Sequence, residues 1–196
     1  DIVINKIIDY ESKGNPSFRR AFFISGDTFP PTRGPGIAKT GIYEGEIVAD
    51  LAASYLEDAG FNIEKLYTSK GTFTSYQDVV NSFNAGAGFI YFGGHGNPAV
   101  WGNFIPDAES EEEFVLGFTI FDIWKYANYD ELPVVVIGGC HNAQFNITMQ
   151  HFVEGNKKAI MYGEAYPTDG ASWMLLKEGG SIASIGNTGY GYGYIN

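Results

Sequence analysis

Two stretches decide the fold: Phe89-Ile90-Tyr91-Phe92-Gly93-Gly94-His95-Gly96 and Leu132-Pro133-Val134-Val135-Val136-Ile137-Gly138-Gly139-Cys140. Each is a short apolar run of aromatic or β-branched residues that ends in two glycines and then one residue able to do chemistry. Runs of this length and composition read as strands buried on both faces, the pattern of a sheet covered by helices on its two sides. Working outward, Arg20–Ser25 (with Ala21-Phe22-Phe23-Ile24), Phe61–Tyr67 and Ser181–Ile185 read as further strands. Helical spacing marks Ile2–Ser12, Tyr43–Ala59, Ser75–Asn84, Thr119–Ala127 and Ala171–Lys177. Residues 28–41 are Pro- and Gly-rich and read as a loop, 97–117 read as a long loop, and 142–167 carry no clear period.

Strands alternating with helices give an α/β domain with a largely parallel sheet and right-handed crossovers. At 196 residues and without internal repeats, residues 1–196 make a single domain. The chain begins at Asp1 and ends in a Gly/Tyr stretch, and reads as a piece of a longer protein with flanking domains. In such sheets ligands lie at the carboxyl ends of the strands. Asp27, His95 and Cys140 each stand just after one.

Charge narrows the partners. Twelve basic against 23 acidic residues leave a net charge of −11. That argues against nucleic acid and against an anionic membrane surface, and favours basic partners at long range. No apolar run is long enough to insert into a membrane. The single cysteine allows no internal disulfide, and with three scattered histidines it gives no structural zinc spacing. The Glu109–Glu113 run reads as a solvated face or, as the alternative, a calcium site, although the spaced calcium-loop pattern is missing. No other cofactor is expected. High Gly and aromatic content suggests an extracellular or cell-surface protein.

Cys140 and His95 form the central pair. A thiol needs a base or an electropositive setting to ionise near neutral pH, and an imidazole is the usual partner. If the two runs are neighbouring strands about 5 Å apart, their end loops bring both side chains to one substrate. The flanking glycines allow close approach of backbone, whose N–H groups can hold an oxyanion. The competing reading is a buried structural cysteine and an ordinary histidine. His141 adjoins Cys140 and points away from it in an extended segment, and His151 is a spare. Gly34–Thr40 fails as a phosphate loop because Arg33 and Ala38 stand where glycines are required. Neither a dinucleotide fingerprint nor a Gly-x-Ser-x-Gly elbow is present.

The segment Phe89–Gly102, with Gly94-His95-Gly96 followed by Trp101-Gly102, resembles the catalytic His block of the gingipain-like cysteine peptidases. Leu132–Cys140 resembles their Cys block. The helix ending Glu57-Asp58-Ala59-Gly60 and residues Val79–Gly86 are similar as well. The resemblance implies a caspase-like three-layer α/β/α sandwich and peptide-bond hydrolysis through a thioester. It implies Cys140 as nucleophile, His95 as base and acid, and the N–H groups of Gly96 and Cys140 as the oxyanion hole. Asp27 takes the place of an orienting carboxylate, beside its reading as a turn residue. Glu44 or Glu46 takes the place of an acidic group for basic P1 residues, beside their reading as first-turn helix acids. Trp101, Tyr190 and Tyr192 are candidate substrate contacts. A second class of function remains: a catalytically weak binding module on the same scaffold, with the aromatic tail taking glycan or peptide.

Overall fold

The computed structural model describes residues 1–31 and 41–191. Among the described residues, five strands form one all-parallel sheet: β1 (Arg20–Ser25), β2 (Asn62–Tyr67), β3 (Phe89–Gly93), β7 (Val134–Gly138) and β8 (Ala183–Gly186), in the order β2-β1-β3-β7-β8. The alternation of side chains sorts the apolar runs into two faces. Phe22 and Ile24 of β1 join Ile90 and Phe92 of β3 and Val135 and Ile137 of β7 on one face. Ala21 and Phe23, with Phe89 and Tyr91, fill the other.

Helix α2 (Glu44–Asp58) covers the second face through Ala49 and Ala53, whose small side chains let it lie close to the sheet. The first face is covered by α3 (Tyr76–Asn84), through Val79, Val80 and Phe83, and by α6 (Gly170–Leu176), through Ala171 and Met174. The result is helix, sheet, helix in three layers. Helix α1 (Ile2–Lys13) is tied to the C-terminal end of α6 by Lys6, whose buried Nζ donates to the carbonyls of Leu175 (3.0 Å), Lys177 (2.8 Å) and Gly179 (3.2 Å).

The expected loop over 97–117 is in large part sheet. β4 (His95–Asn97), β5 (Val100–Phe104) and β6 (Phe114–Thr119) form a small antiparallel sheet on the α3 and α6 side. Glycines hid it. A Cβ on Gly102 would stand 2.4 Å from the Val115 carbonyl, and one on Gly117 would stand 2.4 Å from the Trp101 ring. These glycines sit inside strands because backbone and aromatic rings need the space, although glycine in sequence reads as a break. The helix expected at Thr119–Ala127 is one 3₁₀ turn, Asp122–Lys125. Thr119 instead ends β6, with its N–H and hydroxyl both donated to the Asp122 carboxylate. Residues 142–167 hold two short helices, α4 (Gln150–Val153) and α5 (Lys157–Met161). Among the described residues, no helix is long and apolar enough to cross a membrane.

Candidate active site

Register places the pair. Strands β3 and β7 are adjacent and parallel, with Gly93 opposite Gly138 on the last shared rung. His95 and Cys140 each follow two residues later, so both leave the sheet at the same level on chains about 5 Å apart. The turn before His95 is held by its Gly93 carbonyl, which accepts from Ser25 Oγ (2.7 Å) and Asn103 Nδ2 (2.8 Å). The turn at Cys140 is held from the opposite side. Asn187 Nδ2 donates to the Gly139 carbonyl (2.9 Å), and the His141 N–H donates to the Gly189 carbonyl (2.7 Å). Cys140 is a free thiol, partly exposed.

The ring of His95 is oriented by main chain. Its Nε2 lies 2.6 Å from the carbonyl oxygen of Thr28. A carbonyl only accepts, so Nε2 carries the hydrogen and Nδ1 holds the lone pair of the neutral ring. The rings of Phe29 and Phe104 meet the imidazole edge-on at 6.1 and 5.9 Å. A groove of about 390 Å³ opens beside it, lined by His95, Gly96, Asn97, Val100, Glu111 and Phe114.

Asp27, one residue before Thr28, is not the group bonded to Nε2. It is buried, its Oδ2 accepts the Asp107 N–H at 2.8 Å, and its Oδ1 has no hydrogen-bond partner among the described residues. Its backbone bridges to Phe104, the Asp27 N–H donating to the Phe104 carbonyl at 3.2 Å. Burial pushes its pKa up to about 6, with the Glu44 and Asp107 charges adding to the rise and backbone N–H groups opposing it.

The other expected contacts divide. Glu46 is buried and spent: its carboxylate accepts from the Ser69 N–H (3.0 Å), the Ser69 hydroxyl and, weakly, Thr68 Oγ1 (3.4 Å). It braces α2 against the end of β2 and offers nothing to a substrate. Glu44 is also buried, but its Oε2 has no hydrogen-bond partner among the described residues. Trp101 is a core residue rather than a substrate contact. It is 0% exposed and packed among Phe73, Phe92 and Phe118. Tyr190 is exposed and stands edge-on to the ring of His141, the residue after Cys140, at 4.6 Å. Tyr192 lies outside the described residues.

His141 is a poor base for a reason other than extended geometry. Its φ is +56°, and its Nδ1 pairs with Gln144 Oε1 at 2.6 Å. His151 stands in α4 with its Nδ1 3.8 Å from a Glu154 carboxylate oxygen. Glu109–Glu113 forms a short turn in which Glu113 Oε2 accepts the Glu109 and Ser110 N–H groups. Among the described residues, no three His, Cys, Asp or Glu side chains converge to hold a metal. Two site residues had no sequence signal that marked them. Thr28 acts through a carbonyl that every residue possesses. Asn142, fully buried two residues after the cysteine, lay in the stretch without a period.

Comparison with solved structures gives the same architecture. The Arg-specific cysteine proteinase gingipain R (RGPB) superposes with a TM-score of 0.65 at 17% identity, over 97% of this chain and 37% of that one. The complex of Porphyromonas gingivalis RgpB pro- and mature domains gives 0.62 at 18%, over 96% and 38%. A third structure, described only as a protease, gives 0.58 at 15%, over 97% and 34%. The chain thus spans little more than a third of these proteins, and at such identity the likeness speaks for the fold. No curated protein matches it by sequence. The family model described as peptidase family C25 matches residues 1–196, and the chain belongs to that family.

Proposed function

We propose that this domain is a cysteine endopeptidase in which Cys140 is the nucleophile and His95 the proton carrier. The observation that supports the reading is the shared rung Gly93–Gly138, past which His95, its ring held by the Thr28 carbonyl, and Cys140 each follow two residues later on adjacent strands.

His95 takes the thiol proton on Nδ1. The thiolate attacks the scissile carbonyl carbon, and the C=O electron pair moves onto oxygen. The N–H groups of Gly96 and Cys140 stabilise that oxyanion. Collapse expels the amine, which receives the proton from His95, and leaves a thioester on Cys140. Water then adds with His95 as base, the thiolate departs, and the acid is released.

The Glu44 carboxylate, buried with one oxygen lacking a donor among the described residues, supports a preference for Arg or Lys at P1, whose side-chain N–H groups would supply that donor. Tyr190 supports a wall for the same side chain. Peptides or proteins are the substrates. Flanking domains and an extracellular or cell-surface location belong to the same proposal, and family membership supports them.

The test is hydrolysis of a P1-diverse fluorogenic peptide library in reducing buffer, with wild type beside Cys140→Ala and His95→Ala. Cleavage that both substitutions abolish is expected. A folded wild type without cleavage, or cleavage that survives Cys140→Ala, overturns the reading.

A further inference from the structure

The seam between the histidine strand and the cysteine turn is closed by one side chain. Asn142 is fully buried, and both its amide hydrogens are used across the seam: Nδ2 donates to the carbonyl of Asn97 (2.6 Å) and to that of Val100 (3.0 Å), at the two ends of the β4–β5 turn. Its own carbonyl accepts from the Ala171 N–H at 3.1 Å, which fastens it to α6. Its Oδ1 has no hydrogen-bond partner among the described residues although it is buried.

That oxygen lies where two other residues must lack a side chain. A Cβ on Gly96 would stand 2.0 Å from it, and a Cβ on Gly139 would stand 2.1 Å from it. Gly96 follows His95, and Gly139 precedes Cys140. One carboxamide therefore sits between the residue after the base and the residue before the nucleophile, touching both. An unpaired buried oxygen and two glycines forced by contact are costly together, and folds keep such features where geometry matters to function.

We infer that Asn142 is a positioning residue: its carboxamide sets the gap between β4 and the Cys140 turn, and through it the distance from imidazole to thiol. The inference rests on the Cys140–His95 reading. The substrate does not touch Asn142, which acts through the two glycine backbones and the β4–β5 turn. Replacement leaves the Asn97 and Val100 carbonyls without this donor and frees the seam to shift.

The readout is the pH profile of Cys140 alkylation by iodoacetamide on the full chain, which needs no turnover. It is paired with kcat and KM on the best library peptide. Asn142→Ala is expected to move the alkylation profile toward higher pH, in the direction His95→Ala moves it. It is expected to lower kcat about 100-fold with KM changed less than about threefold, the pattern of a misplaced reacting group. Asn142→Ser, smaller but with a hydroxyl donor, should fall between and serves where the alanine variant does not fold. Asn128→Ala is the matched control. Its Nδ2 likewise ties two carbonyls, those of Glu131 and Gly180, but among residues not in the site. It should lower the unfolding midpoint and leave the profile in place. A wild-type alkylation profile in folded Asn142 variants, while His95→Ala shifts it, overturns the positioning role alone. A profile that His95→Ala does not shift overturns the dyad and the inference with it.

Discussion

His95 Nε2 and the Thr28 carbonyl oxygen stand 2.6 Å apart, so the group that holds this ring nitrogen belongs to the backbone, one residue after Asp27. The neighbouring carboxylate of Asp27 is engaged with Asp107 instead. If a carboxylate oriented the ring, its removal would cost several orders of magnitude in rate, as in a serine triad. Here Asp27→Asn is expected to cost less than about tenfold in kcat/KM, since the Thr28 carbonyl stays. Steady-state kinetics on a peptide that the wild type cleaves checks this. A loss above about a thousandfold in a folded variant would return the role to Asp27.

Asp27 should be visible in stability against pH. Its pKa rises from 3.8 to about 6 on folding, chiefly through burial and further through the Glu44 charge. The folded state then holds this proton more tightly than the unfolded chain. The associated stability is fully present below about 3.8 and is lost as pH rises through about 6. Asp27→Asn removes the dependence. Urea unfolding should therefore show the variant gaining on wild type between pH 4 and pH 7, with the difference level above that range. A constant difference across the range would show that Asp27 titrates normally.

Glu44 and Glu46 share the first turn of α2 but should respond differently. Glu46→Gln disrupts acceptors for Ser69 and Thr68, and is expected to lower stability by about 1–3 kcal/mol while leaving the P1 profile intact. Glu44→Gln should change stability less and erase any preference for Arg or Lys over neutral P1 residues. The P1 library run on both variants separates them. A basic preference that survives Glu44→Gln removes Glu44 from the pocket.

The apolar runs at 21–24, 89–93 and 134–138 were legible because a strand buried on both faces leaves no polar residue to confuse its period, and their order carried the parallel sheet. The antiparallel β4–β6 unit was not legible. Its glycines 102 and 117 serve Phe114 and Trp101 by having no side chain, and sequence shows glycine only as a break. At the candidate site, the position of Cys140 and His95 just past neighbouring strand ends was legible because each adjoins its apolar run in sequence. The Thr28 carbonyl could not, since backbone acceptors carry no residue code. Trp101 shows the opposite error: its block matched a catalytic motif, but the ring lies in the core under the cysteine turn, where it shapes the site without facing it.

Gly139 offers the sharpest structural test of that turn. A Cβ there would stand 2.1 Å from Asn142 Oδ1, 2.9 Å from Trp101 Cδ1 and 3.1 Å from the Gly96 nitrogen. Asn142 has no room to retreat, because its amide is held by Asn97 and Val100, and Trp101 is packed on several sides. The Cys140 turn must lift away from β4 instead. Gly139→Ala is therefore expected to cost about 1–3 kcal/mol of stability by overpacking. It should also slow peptide hydrolysis about 100-fold by separating thiol from imidazole. Gly189 lies on the loop that faces the same turn, and a Cβ added there would meet nothing within 4 Å. Gly189→Ala should stay within about 0.5 kcal/mol of wild type. Urea midpoints for the two variants give the comparison, and equal midpoints would mean that the turn is not packed as tightly as Asn142, Trp101 and Gly96 require.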